Sequence, residues 1–396
     1  MIENPSIPRI LCIVDSPNWI FRRHVSYFEK YLANDFSFDV AFRGNLYNED
    51  DFDLIYPLEF NMVSEDQIKN PEKYVTGIRS FIAWADWNIL DFINYLNKNY
   101  LRIHVVSKQL FNLFSPFIND LSYVTHGVDT HLFQTANNVV GVPGRLRLGW
   151  AGNRLTYVKG FKEFILPLSN VQGIELTHIG FHDNNIPLVE MPAYYDKLDG
   201  YICASSFEGS NNSLLEAASM EKAIITTPCG TAPEYLTDNI NALVVDRNFS
   251  QIHDAVIRLR DNVDLRTSFG KAAREALVKG GWDWEVKAES YREFFWKAIN
   301  FPERGRYQET TSKIFDQAAL SIILLEQVRL LRDLRIGTAL DLIDSQADVQ
   351  NLKEKLTQYD DQEKVNQVLK NIKSTKFYQV YSKITRTKIY NKIFKR

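Results

Sequence analysis

From residue 8 to about residue 300 the sequence alternates short, β-branched apolar runs with helical stretches, a rhythm that drives a chain into parallel α/β units. A parallel strand is buried on both faces, so it reads as a continuous apolar run, and its parallel neighbour needs a crossover helix. In the first half, strands are expected at 9–14, 38–42, 53–56, 103–107 and 122–125, with helices near 20–33, 74–85 and 88–97. In the second half the strands fall at 146–150, 175–179, 200–204, 223–227 and 242–245. Small residues, glycine and proline interrupt the pattern between Thr135 and Gly144, and Pro302 to Arg306 breaks it again. The expected division is therefore 1–140, 141–300 and 301–396. Two doubly wound, Rossmann-like sheets leave a crevice at their strand C-terminal ends, where open α/β sheets bind ligands.

The rest of the chain is different in kind. From 312 to about 372 apolar residues recur at three- and four-residue steps, as in Leu325, Val328, Leu331 and Leu334, which reads as a helical extension with a face for self-association. Residues 370–396 hold nine Lys or Arg and no Asp or Glu, interleaved with aromatic and aliphatic side chains. That pattern fits an interfacial helix on an anionic membrane surface; the rivals are a basic helix docked on the acidic first domain and a disordered end. No nucleic-acid module accompanies the charge, so nucleic acid is not an expected partner.

Apolar residues at 45% and charged residues at 24% suit a globular body with a core. The longest near-apolar stretch, 318–325, is far below the roughly 20 residues a spanning helix needs. The first residues lack the basic and apolar regions of a secretory signal, so a cytoplasmic location is expected. Cys12, Cys203 and Cys229 are odd in number and widely spaced, which indicates neither a disulfide framework nor a zinc site.

Two stretches can carry chemistry. In the first, a buried strand ends at Ser205-Ser206, a polar loop follows, and a helix begins near Ser213. Ser213 and Glu216 have the spacing of a capping box, which would make Glu216 a reciprocal cap. The functional reading uses the same turn: backbone N–H groups of Gly209, Ser210, Asn211, Asn212, Ser213 and Leu214 at a helix N-terminus suit anions and hydroxyls, and Glu208 and Glu216 suit vicinal hydroxyls. In the second, the strand ending near Trp150 runs into Gly152-Asn-Arg154 and then Lys159-Gly160. Two cations at the C-terminal edge of a parallel sheet can clamp a diphosphate; a plain surface pair is the competing reading. His178 and His182 flank a strand end across a turn and read as satisfied or solvent-facing rather than metal ligands. His24 is an acceptor-side candidate, and so is the Arg22-Arg23 pair, for which a solvated helix face is the competing reading.

In order along the chain stand Gly152-x-Arg154-x4-Lys159-Gly160, Glu208-x7-Glu216 with its Leu-Glu-Ala-Ala, the strand 223–227, Gly230-x3-Glu234, Asn241-Ala-Leu-Val-Val-Asp246 and a Trp-containing final helix. This set resembles the retaining glycosyltransferases of the GT-B fold, the large family 4 of nucleotide-sugar-dependent enzymes, over about residues 145–298. Thr125-His-Gly-Val-Asp129 looks like the family's Asn-Gly-Val-Asp segment, with His126 in place of Asn. The resemblance implies that Arg154 and Lys159 bind the donor diphosphate and that Glu216 meets the ribose. Glu208, the residue assigned to catalysis, would contact hydroxyls of the transferred sugar, and the N–H groups of residues 209–214 would hold sugar and phosphate oxygens. It further implies a nucleotide-diphosphate sugar as donor substrate, no metal or other cofactor, and a glycan or lipid-linked acceptor in cell-surface polysaccharide or glycoconjugate synthesis. The alternative is a GT-B-shaped scaffold without catalysis, acting through its helical extension.

Overall fold

The structure, a computed structural model, describes residues 7–17, 19–136, 141–180, 186–302 and 317–344. The basic segment 370–396 and the expected helical stretch beyond residue 344 lie outside the described residues, as does His182.

The first domain carries β1 (Arg9–Val14), α1 (Ile20–Tyr31), β2 (Ser37–Phe42), β3 (Leu54–Pro57), β4 (Val75–Ile78), α2 (Ile89–Asn99), β5 (Arg102–Val105), α3 (Lys108–Phe114) and β6 (Ser122–Tyr123). All pairings are parallel, in the orders β2-β1-β3 and β4-β5-β6, and a bridge between Ile55 and Tyr74 joins the two groups. Alternation along β1 sorts its side chains: Ile10, Cys12 and Val14 face the core under α1, while Leu11 and Ile13 face the core of Trp84, Phe92 and Phe114.

The expected helix at 74–85 is a correction. That stretch is β4 followed by a short 3-10 turn at Ile82–Trp84. Each residue of β4 is buried, and a short apolar run of that length satisfies strand and helix periodicity alike. Among the described residues the first domain thus has six strands where five were expected.

The second domain matches the expected five strands: β7 (Leu146–Gly152), β8 (Ile174–Gly180), β9 (Gly200–Cys203), β10 (Ala223–Thr226) and β11 (Leu243–Val244), in the order β11-β10-β9-β7-β8 and all parallel. Between and after them come α4 (Met191–Asp196), α5 (Asn212–Ser219), α6 (Phe249–Asp261) and α7 (Val263–Lys279).

Two helices cross this division. α8 (Trp284–Asn300) lies within the range 141–300, yet its buried face of Trp284, Tyr291, Phe294 and Phe295 packs with Val25, Phe28 and Tyr56 of the first domain. α9 (Gln317–Asp344) seats Ile323 and Leu330, both fully buried, in the first domain's core beside Val158 of the second. Among the described residues no helix is long and apolar enough to cross a membrane.

Candidate functional site

In the second domain the strand order reverses at β7, which lies between β8 and β9, so the crevice opens at the C-terminal ends of β7 and β9. β7 leaves into a 3-10 turn, Tyr157–Lys159, which stops at Gly160 with φ +67°. Only glycine fits there: a Cβ would lie 2.8 Å from the Ala204 carbonyl oxygen at the end of β9. This close approach brings Lys159 Nζ to 2.5 Å from Glu208 Oε1. The same oxygen accepts from Ser205 Oγ at 2.7 Å, and Asn211 Nδ2 stands 3.5 Å away. Burial pulls the Lys159 pKa down, but the Glu208 carboxylate outweighs it and the net shift is upward, so the ammonium is charged at neutral pH.

α5 starts just beyond this loop, and its N-cap is Asn211, whose Oδ1 accepts from Leu214 N–H at 3.2 Å and from Ser213 Oγ at 2.8 Å. The capping-box reading of Ser213 and Glu216 is therefore corrected: Ser213 lies inside the helix and Asn211 takes the cap. Of the six N–H groups singled out in the loop, that of Leu214 already donates to this cap. Glu216, 4% exposed, is left for other partners: Oε2 accepts from Tyr195 OH at 2.9 Å, and Oε1 pairs at 3.0 Å with Arg23 of α1 in the first domain. Burial raises its pKa and Arg23 opposes the rise.

Lys159 and Glu208 are thus in direct contact, while Arg154 and Glu216 have other immediate neighbours. The half-buried Arg154 guanidinium lies over the Phe161 ring, 5.6 Å from its centroid, and next to His178. A narrow crevice, with about 10 Å³ of space for water, lies between the domains at α1, lined by Arg23, Tyr27, Asp129, Asn212 and Glu216 among others.

The first domain contributes a buried polar chain of which the sequence reading marked His24 and not Arg79, Tyr56, His104 or Glu59. His104 Nδ1 lies 3.1 Å from the Val124 carbonyl and donates to it, so its Nε2 accepts from Tyr56 OH at 2.7 Å. Arg79 donates to Tyr56 at 3.1 Å and to His24 Nδ1 at 2.5 Å, which leaves His24 Nε2–H to reach Asn212 Oδ1 of α5 at 3.4 Å. Glu59 accepts from the Arg79 backbone N–H at 2.9 Å. Reading 74–85 as a helix hid Arg79, which instead follows the C-terminal end of β4. His24 is buried, and His126, 3% exposed, packs 4.4 Å from it; among the described residues neither ring nitrogen of His126 has a hydrogen-bond partner. Glu234 accepts from the Lys108 N–H at the start of α3 at 2.8 Å and from Tyr123 OH, so it ties the domains together.

This cluster sets a pH dependence. Desolvation first, and the Arg79 charge in addition, lowers the pKa of His104 to about 3 and those of His24 and His126 well below 6.5. The unfolded chain takes up these protons as the pH falls through 6.5 and the fold does not, so each histidine removes stability at a limit of about 1.4 kcal/mol per pH unit. Burial pushes the Glu59 carboxyl up to about 8, which has the opposite sign: the fold keeps a proton the unfolded chain has lost, and stability declines as the pH rises from about 4.5 to 8. The melting temperature should therefore peak near pH 6.5 and drop more steeply on the acid side, with His126→Phe flattening the acid limb. A melting temperature constant from pH 7 to 5 would contradict this assignment.

Residues 148–262 match the family described as Glycosyl transferases group 1. An uncharacterized glycosyltransferase of Methanocaldococcus jannaschii is 27% identical over 146 residues, 36% of this chain and 37% of that protein, so the chain spans little more than a third of the curated relative it matches. Among solved structures, the chain resembles sucrose-phosphate synthase from Thermosynechococcus elongatus, with a TM-score of 0.61 at 12% identity over 73% of this chain and 99% of that one. It also resembles Anabaena HepE in complex with UDP and glucose, with a TM-score of 0.58 at 12% identity over 73% and 99%. The fold is GT-B: two parallel-sheet α/β domains with a helical C-terminal portion.

Proposed function

We propose that this chain is a glycosyltransferase that moves a sugar, with retention of anomeric configuration, from a nucleoside-diphosphate donor to a glycan or lipid-linked acceptor. The observation that carries the reading is the Lys159–Glu208 contact at the β7/β9 crevice, directly ahead of the α5 N-terminus. An ammonium has three protons, and with one on Glu208 the others are available to diphosphate oxygens. In this reading Arg154 and Lys159, rather than a metal ion, offset the charge that grows on the leaving diphosphate. Glu208 orders hydroxyls of the transferred sugar, and Glu216 takes the ribose diol in exchange for Arg23 or Tyr195. The loop N–H groups ahead of Leu214 add donors where the helix dipole favours anionic oxygen. Placement at the cytoplasmic face of a membrane through residues 370–396 belongs to the same proposal, and sedimentation with anionic vesicles checks it.

The test is calorimetric titration of the full chain with UDP, GDP and ADP and their sugar conjugates. One nucleoside diphosphate should bind, and Arg154→Ala should weaken it by about tenfold, as expected for one charge-assisted contact. NMR of the product's anomeric proton then reads retention directly. Binding of none of the three families, or equal binding by Arg154→Ala, would sink the site assignment.

A further inference from the structure

We propose that Arg247 is a positioning residue for the Lys159–Glu208 pair, and that α9, through Asp333, is a working part of the donor site. The proposal rests on the donor reading of Lys159 given above. Arg247 follows β11 and was not marked by any sequence motif. Its Nε donates to the Ala204 carbonyl at 3.0 Å, and its Nη2 donates to the Tyr157 carbonyl at 2.8 Å. Ala204 immediately precedes the loop bearing Ser205 and Glu208, and Tyr157 opens the turn that ends on Lys159. One planar guanidinium therefore staples together the two backbone segments whose side chains meet at 2.5 Å. A lysine ammonium, a point charge on a flexible stem, does not reproduce that fork.

The guanidinium is shielded by aromatic rings, with Cζ 5.1 Å from the Tyr157 centroid and 4.8 Å from that of Phe164. An acid facing it is Asp333 of α9, buried, with Oδ2 4.0 Å from Nη1. α9 itself is anchored on the first domain. The Gln327 side-chain amide donates to the carbonyl oxygens of Ala85 at 3.1 Å and Trp87 at 2.6 Å, and Ile323 and Leu330 share a core with Val158 of the Lys159 turn. A continuous set of contacts thus runs from the first domain through α9, Asp333 and Arg247 to the two donor loops. Small displacements of such loops matter, because a contact misplaced by about 1 Å forfeits much of its worth.

The test is a double-mutant cycle in the full chain, with UDP, GDP and ADP titrated calorimetrically, the tightest of the three used throughout, and melting temperature followed in parallel. Arg247→Ala is expected to weaken binding by about tenfold, the equivalent of a lost charge-assisted hydrogen bond, and Asp333→Asn by about two- to fivefold. Arg247→Lys should not restore it. In a Lys159→Ala background, Arg247→Ala should add less than about twofold, because the group it positions is gone, while its effect on melting persists. Unchanged affinity in Arg247→Ala, or the same factor in both backgrounds, overturns the positioning role; unchanged affinity in Asp333→Asn overturns the part given to α9. Should Arg247→Ala fail to fold, Asp333→Asn in both backgrounds carries the same cycle. If Lys159→Ala alone leaves binding intact, the donor reading itself fails, and this inference with it.

Discussion

With Lys159 replaced by alanine, transfer from the donor is expected to fall by about 10²–10³ in kcat/KM, the scale seen when one preorganised donor to developing negative charge is removed. The physical argument has two parts. First, in the proposed reading Lys159 shares the leaving diphosphate with Arg154, and it is also in direct contact with Glu208 of the loop that precedes α5. Second, its loss strands Glu208, which is 9% exposed and, among the described residues, would keep Ser205 and Asn211 as partners. Breaking a buried ion pair by removing one member destabilises a protein by about 3–5 kcal/mol, so the melting temperature should fall as well. The two effects separate in the double variant Lys159→Ala/Glu208→Gln, which removes the orphaned charge: stability should recover substantially and transfer should not. Nucleoside-diphosphate affinity of Lys159→Ala equal to that of the unaltered chain would refute the diphosphate role.

The second large effect is expected for Gly209→Ala. A Cβ at this position would fall 1.7 Å from the Arg79 carbonyl oxygen and 2.6 Å from its carbon, and these are backbone atoms of the other domain. No rotamer change relieves such a contact, so the Glu208 loop and the end of β4 must separate by more than an ångström. Overpacking of this kind destabilises by about 1–3 kcal/mol. The functional loss should be larger, about 10²-fold, because the displaced backbone carries the loop N–H groups and Glu208. Ser210→Ala is the matched control, since it removes only a 3.1 Å contact between Ser210 Oγ and Thr231 Oγ1 and adds no atoms. Steady-state transfer and thermal unfolding of both variants decide the matter: wild-type activity in Gly209→Ala would mean that the close approach of the domains at Arg79 is dispensable.

How much of this was legible beforehand follows from the range over which each signal acts. The second domain was read strand for strand, because its apolar runs, though as short as Gly200–Cys203 and Ala223–Thr226, are each set off by glycines and polar residues within a few positions. The Lys159–Glu208 contact was within reach for the same reason: both residues sit in turns that leave neighbouring strands of one sheet, β7 and β9. β4 was lost because Val75–Ile78 is too short for its periodicity to exclude a helix, and with it went Arg79, whose importance comes from standing at a strand end. Glu216 shows the opposite error. Its spacing from Ser213 fits a capping box, but Asn211 reaches the Leu214 N–H and moves the helix start, leaving Glu216 to Tyr195 and Arg23.

Sequence alone determined the α/β class, the two-domain layout, the five-stranded second sheet and the glycine-bounded turns bearing Arg154, Lys159 and Glu208, since these depend on side-chain periodicity and on backbone conformations that neighbouring residues dictate. Only the tertiary structure decided that Arg23 meets Glu216, that Arg79 connects to Asn212 through His24, that α8 packs on the first domain, and that α9 bridges both. Those contacts join segments far apart in the chain, and their partners are chosen by how whole packed surfaces fit together, which no local spacing records.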